Sequence, residues 1–476
     1  MGSEIQEHHS SRRGLTRHYL WKGNSHKVRK LLYQWARKNS VILVNAGSLV
    51  GTTAVTSVLG FAYWWLAARQ FSPEALGLAS AAISAMMLLG SLGIVGLGTL
   101  LIGELPRQHG KEVSLISTTL IVVGAVGGCL GIVFAAVAPY LSNDFQVLRA
   151  SIENVALFAV GVSLTAITSV LDQALIGLLR GELQLWRNTL FAGVKLAALF
   201  VAGLWLSHTT GLTIYATWVI GNALSLAALA RFAPAKGARR SYLPQWGLLR
   251  MLGPAALQHH ALNLTLDAPA LILPVLVTVL LSATTNAWFY VSWSLASITN
   301  IVTVILTTIL YAVCSAQPTE LARKIRLTLS LALAATVLAN CVLLLGARQV
   351  LGLFGHRYAE QAAWSLRILT LESFPFIIKS HYIAVSRIQR RVAPATLLTI
   401  ASGTLELGGA ALGARLGGLS GLSLGWLAAV CIEAAIMFRT VYRAAQSIDV
   451  STDTNLLPQN TLYHEDTHAN EPDPGQ

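Results

Sequence analysis

Residues 191–206 read FAGVKLAALFVAGLWL, an apolar run broken at one position by Lys195. Such a run suits a helix in hydrocarbon, since about 20 predominantly apolar residues cross a bilayer core. The pattern recurs along the chain. Twelve apolar runs stand out, at roughly 40–68, 75–103, 113–139, 153–179, 187–206, 210–230, 248–281, 284–313, 326–346, 364–386, 393–414 and 419–438. Of the 476 residues 54% are hydrophobic and only 12% charged, and the mean hydropathy is +0.59; soluble chains carry about 25% charged residues. The sequence predicts an all-α polytopic membrane protein with about 12 transmembrane helices in two six-helix lobes.

The net charge of +13 is concentrated rather than spread. Nine Lys or Arg fall between residues 12 and 38, immediately before the first apolar run. A juxtamembrane basic arm meets anionic membrane lipid, and this distribution implies no nucleic-acid partner. With both termini on the cytoplasmic side, about 26 of the 34 Lys and Arg lie in inside segments and six outside (Arg69, Arg149, Arg348, Arg357, Arg367, Arg415). The positive-inside rule therefore places both termini in the cytoplasm. Residues 1–39 lack the h-region and cleavage site of a signal peptide. The polar tail from 447 reads as disordered. The four cysteines lie in or beside apolar runs without paired spacing, and read as small buried hydrophobes.

The halves of the chain overlay at an offset near 207 to 210. ALIGLLRGELQLW (174–186) falls on HYIAVSRIQRRVA (381–393), and Gly211-Leu212 on Gly418-Leu419. An even number of spans per half makes the repeats parallel, a plan in which substrate sits between the halves. The expected boundaries are a basic arm 1–39, an N-lobe 40–232, a linker 233–247, a C-lobe 248–443 and a tail 444–476. Span 1 (Gly47, Gly51, Gly60) and span 7 (Pro254, Pro269, Pro274) carry the helix-interrupting residues that point to a transport pathway.

Charges inside spans need partners or water. Lys195 lies eight residues past Arg187, and Asp172 eight before Arg180, so the hairpin brings both to one depth, on the order of 12 Å into the membrane. The expectation is a Lys195–Asp172 pair, with Lys195 also a candidate for an anionic substrate group. At the 207 offset Lys379 takes the position of Asp172. With Glu372, His381 and Glu406 it forms a second polar cluster. On span 7 His260, Asn263 and Asp267 follow i, i+3, i+7 and share a face. Asn45 on span 1 and Asn300 on span 8 add amides to a central cavity. The candidate substrate-binding residues are thus Lys195, Lys379, His260, Asn263, Asn45 and Asn300; the candidate ion-coupling residues are Asp267, His260, Asp172 and Glu406. No catalytic or metal-binding set is read, and no cofactor beyond H+ or Na+ as coupling ion. No P-loop appears, so the driving energy would come from a gradient or a partner.

Within residues 40–110, the glycine-bearing first span, the short loop LAARQFSPEALG and a second span ending GLGTLLIGELPR resemble bacterial polysaccharide flippases of the multidrug/oligosaccharidyl-lipid/polysaccharide exporter superfamily. In that loop Ser72 suits an N-cap and Pro73 the first helical position. The resemblance implies a non-enzymatic transporter in the bacterial cytoplasmic membrane. It would flip a polyprenyl-diphosphate-linked oligosaccharide or related cell-envelope glycan precursor by alternating access. A polysaccharide polymerase or glycosyltransferases are the partners it suggests. The alternatives are an ion-coupled exporter of amphipathic drugs on the same fold and a membrane-embedded glycan polymerase or ligase.

Overall fold

A computed structural model of the chain describes residues 40–105, 110–205, 210–232, 254–316 and 321–446; the expected basic arm, linker and nearly all of the tail lie outside the described residues. Every regular element among the described residues is helical. In chain order these are α1 (Ser40–Gln70), α2 (Pro73–Ile94), α3 (Leu97–Glu104), α4 (Glu112–Leu141), α5 (Gln146–Arg149), α6 (Ile152–Gly177), α7 (Gly181–Trp205) and α8 (Gly211–Phe232) in the first half. The second half holds α9 (Pro254–Leu280), α10 (Ala283–Ser297), α11 (Ile301–Ala316), α12 (Leu321–Gly352), α13 (His356–Gln361), α14 (Ala363–Leu371), α15 (Ser373–Ile388) and α16 (Val392–Gln446).

Nine stretches of the described residues are each long and apolar enough to cross a bilayer, α10 with α11 counting as one and α16 as one. The 31-residue α1, the α14–α15 pair and the second arm of α16 complete twelve crossings. Residues 40 and 446 therefore lie at the same end, called here the terminus end. Ser72 caps α2 as its sequence suggests, its side chain accepting from the Ala75 N–H at 3.2 Å, with Pro73 in the first turn. Such a cap contributes about 1 kcal/mol.

The glycines of span 1 do not interrupt it, since α1 runs unbroken past Gly47, Gly51 and Gly60. On span 7 Pro254 opens α9, while Pro269 and Pro274 lie inside it and each removes one backbone bond. The broken spans are the second and eighth of the twelve. Val95 and Gly96 take positive φ between α2 and α3, and a 3₁₀ turn at Ile298–Asn300 separates α10 from α11. Span 10 also breaks, at Glu372 between α14 and α15. α16 folds back on itself at Gly417 and Gly418; there Gly409 and Gly413 of one arm meet Gly425 and Gly421 of the other so closely that a Cβ would strike backbone.

The internal repeat is written into one turn. Leu179 (φ 56°) and Arg390 (φ 58°) are non-glycine residues in the left-handed region, each at the terminus end of a hairpin. Arg180 N–H donates to Leu175 O at 2.8 Å, and Arg391 N–H to Ser386 O at 2.8 Å. The same closing bonds in the same order set the offset here at 211, not 207. Lys379 therefore sits one helical turn from the counterpart of Asp172, on the same face.

The halves meet along α2, which packs on α9 and α10. At the end opposite the termini this seam is shut. A Cβ on Gly77 would collide with the Ala283 backbone, Asn286 Nδ2 donates to Gly77 O at 2.7 Å, and Ala283 N–H donates to Asp144 Oδ2 at 2.8 Å. Trp65 Nε1 donates to Leu353 O at 2.9 Å, and Phe61 meets Phe354 edge-on at 5.5 Å. Gly77→Val should therefore wedge the seam open. In a background with Cys129, Cys314, Cys341 and Cys431 replaced, a cysteine at Ser91 should react faster with an impermeant thiol reagent applied to the face opposite the termini. An unchanged rate would show that the Gly77 crossing does not hold that end closed.

Candidate functional site

Between the halves lies a cavity of about 720 Å³. Its walls come from α2 (Met87, Ser91), α6 (Thr165, Ser169), α9 (Asp267, Pro269), the broken eighth span (Trp293, Asn300, Thr307), α15 (Lys379, Arg387) and α16 (Glu406, Trp426). It reaches from the two tryptophans at mid-depth to Arg387 near the terminus end. Trp293 and Trp426 stand edge to face at 5.3 Å. The Trp426 indole N–H and the Asn300 amide oxygen are buried without a partner. The wall therefore offers ring faces to a ligand, with one unpaired donor and one unpaired acceptor buried just behind them.

Each charge in this wall has its own arrangement. Lys379 Nζ lies 2.6 Å from Glu406 Oε1 and 3.0 Å from Glu433 Oε2, and both glutamates are almost fully buried. Glu372, placed at the helix break, is buried nearby. Three carboxylates around one ammonium leave local excess negative charge when all are ionised, and Glu433 Oε1 has no partner. Such a cluster can take up a proton or a small cation, because burying unneutralised carboxylate costs several kcal/mol. Glu433 lies in AVCIEAAIMF, an acid in an apolar run like Glu406, and the same reasoning finds it. His381 stands apart from the cluster. It is fully buried and joins α15 to α12, with Nε2 at 3.0 Å from Thr328 Oγ1 and Nδ1 at 2.8 Å from Ile377 O.

On α9, Asp267 faces the cavity, and Asn263 Oδ1 accepts from Arg387 Nη2 at 2.8 Å. His260, on the same helix, is half-buried and is not among the residues lining this cavity. Asn45 lies on α1 with its side chain outside the described residues.

The expected Lys195–Asp172 pair does not form. Asp172 is held by Arg187 in a two-point fork, Nη2 to Oδ2 at 2.7 Å and Nε to Oδ1 at 3.0 Å, and Asn188 Nδ2 adds a third bond at 3.0 Å. The planar guanidinium matches a carboxylate better than an ammonium does, and wins. Lys195, 6% exposed, turns instead into a box of rings: its Nζ is 3.6 Å from the Trp218 ring centroid, 4.7 Å from Phe191 and 5.1 Å from Tyr63. The opposed quadrupoles of three rings stabilise a desolvated ammonium by about 2 kcal/mol or more. Neither Lys195 nor Asp172 lines the central cavity.

No protein-family model and no curated protein matches this sequence. Solved structures do match its fold. An inward-facing multidrug resistance MATE family transporter of the MOP superfamily superposes with a TM-score of 0.66 at 15% identity, covering 83% of this chain and 98% of that one. The lipid II flippase MurJ in an inward closed conformation gives 0.60 at 13%, covering 82% and 86%. An outward-facing MATE family transporter gives 0.57 at 15%, covering 86% and 96%. The chain is a multi-pass membrane protein with the all-α fold shared by these transporters.

The charge pairing predicts a contrast in detergent melting experiments. Arg187→Ala and Asp172→Ala should couple, with an interaction energy of about 0.5–3 kcal/mol in a double-mutant cycle. Lys195→Met and Asp172→Ala should add to within about 0.5 kcal/mol. Strong coupling of the second pair would restore a Lys195–Asp172 contact.

Proposed function

We propose that this chain is a transporter that flips a polyprenyl-diphosphate-linked oligosaccharide, or a related cell-envelope glycan precursor, across the bacterial cytoplasmic membrane by alternating access. The observation that carries this reading is the mixed cavity wall. Tryptophan faces suit sugar rings, while the Asn300 amide and the Ser and Thr side chains along the wall suit sugar hydroxyls. The seam between halves lets a lipid tail remain in the bilayer. Asn300 and Lys379 are the substrate contacts on this reading, and Asp267, Glu406 and Glu433 hold the coupling H+ or Na+. Arg180, Arg323, Arg391 and Arg439 all fall at the terminus end, which supports cytoplasmic termini. Enzymes that build or polymerise the glycan are the partners this role requires.

A second reading rests on the surplus of carboxylates in the cavity. Asp267, Glu372 and Glu406 face Lys379 and Arg387, a balance that favours a cationic amphiphile exported against H+ or Na+. Purified protein in vesicles discriminates the two. A fluorescent polyprenyl-diphosphate-linked oligosaccharide in the inner leaflet should become accessible to a quencher added outside, and Asp267→Asn should slow gradient-driven flipping while sparing binding. Absence of flipping together with gradient-driven ethidium movement would overturn the glycan reading in favour of drug export.

A further inference from the structure

A second cavity, of about 530 Å³, opens at the terminus end of the C-lobe, lined by Gln258 and His259 of α9, Tyr311 of α11, Arg387 and Ile388 of α15, Arg390, and the first turn of α16. Arg387 lines both this pocket and the central cavity. We propose that this basic pocket is a docking site for the phosphate or diphosphate headgroup of an amphiphile, through which the headgroup passes to the central cavity. The site rests on the reading of the chain as a flippase of lipid-linked substrate.

Three observations carry it. The Arg387 Nε–H is buried and has no acceptor, and the one hydrogen bond of that side chain among the described residues is Nη2 to Asn263. No carboxylate among the described residues lies within ion-pairing distance of it. A guanidinium with an unspent N–H fork is matched by phosphate oxygens, which accept two parallel bonds.

The internal repeat supplies a control within the molecule. At the 211-residue offset the turn is the same in both halves, bond for bond, yet the counterparts of Arg387 and Arg390 are Ile176 and Leu179. The turn therefore folds without arginine, so neither Arg387 nor Arg390 is needed to close it. Finally, the first turn of α16 on the pocket floor presents the positive end of a helix dipole, which adds to the field of Arg387, Arg390 and, when protonated, His259.

The test is equilibrium binding of farnesyl diphosphate to the full-length protein in nanodiscs of neutral lipid. Arg387→Gln should weaken binding about tenfold or more, the loss of one charge-assisted contact. Arg387→Lys should fall between, and Arg348→Gln at the far end should bind like wild type. Should Arg387→Gln fail to fold, as judged by melting and gel filtration, His259→Gln with Arg390→Gln carries the same expectation. Equal affinity in wild type and variants overturns the site. So does inorganic pyrophosphate binding as tightly as farnesyl diphosphate, which would make the pocket a free-anion site. Complete loss of binding in nanodiscs of phosphatidylglycerol would likewise reassign it to bulk anionic lipid. Binding through Arg387 in a protein that flips no lipid-linked oligosaccharide would keep the site and remove the function proposed above; Arg387-independent binding with intact flipping would do the reverse.

Discussion

The contact of Gly77 with the Ala283 backbone is the constraint on which the rest of the arrangement depends. Because no side chain intervenes, α2 and α10 approach closely enough for Asn286 to bond across to Gly77 O and Ser80 Oγ. Asp144 can then cap α10 from the other half. Two bundles clasped at one end, where α2 meets α9 and α10 and Trp65 reaches Leu353, diverge elsewhere, and the space between them becomes the cavity. A cavity formed this way needs no dedicated wall. It takes its lining from whichever residues of both bundles face the divergence, so its chemistry can change while its shape is held by a glycine far away.

Within the bilayer the governing cost is unneutralised charge, and the chain meets it in three different ways. Arg187 and Asp172 neutralise each other inside one half with good geometry, which makes a structural pair. Lys195 is met by ring faces alone. Lys379 is met by two glutamates with a third close by, which exceeds what one ammonium needs. Only the last leaves a residual demand. A carboxylate cluster that is over-supplied in the resting arrangement can change its occupancy with little rearrangement, whereas the balanced Arg187–Asp172 fork would have to break.

The class of the fold was legible from hydropathy alone, because each span is an uninterrupted demand for apolar surroundings. The cap at Ser72 was legible too, being local. What escaped was pairing at equal depth. Arg187 and Lys195 are two turns apart on one helix, and spacing says only that both approach Asp172. The choice depends on a guanidinium fork and on Trp218 and Tyr63 arriving from other helices. Breaks are only partly legible: Gly60 is simply open to its surroundings and interrupts nothing, whereas Gly96 takes positive φ at the break beside Val95 and Pro375 removes a backbone bond just past Glu372. The 3₁₀ turn at Ile298–Asn300 carries no glycine or proline. Glu406 stood out as an acid in an apolar run, and Glu433 carries the same mark.

On the proposed reading, the acidic cluster and an anionic headgroup share one cavity, and this has a consequence for coupling. Asp267, Glu372 and Glu406 repel a diphosphate when ionised, and water in the cavity screens them only partly. Arg387 sits between that cluster and the outer pocket, so it is pulled toward carboxylate on one side and toward phosphate on the other. Uptake of a proton or cation by the cluster lowers the repulsion and releases the guanidinium from competition. Ion and headgroup then favour each other's binding without touching, and by linkage the effect is reciprocal. A gradient acting on the glutamates would in this way be felt at the phosphate, through electrostatics across one shared arginine rather than through a chain of moving parts.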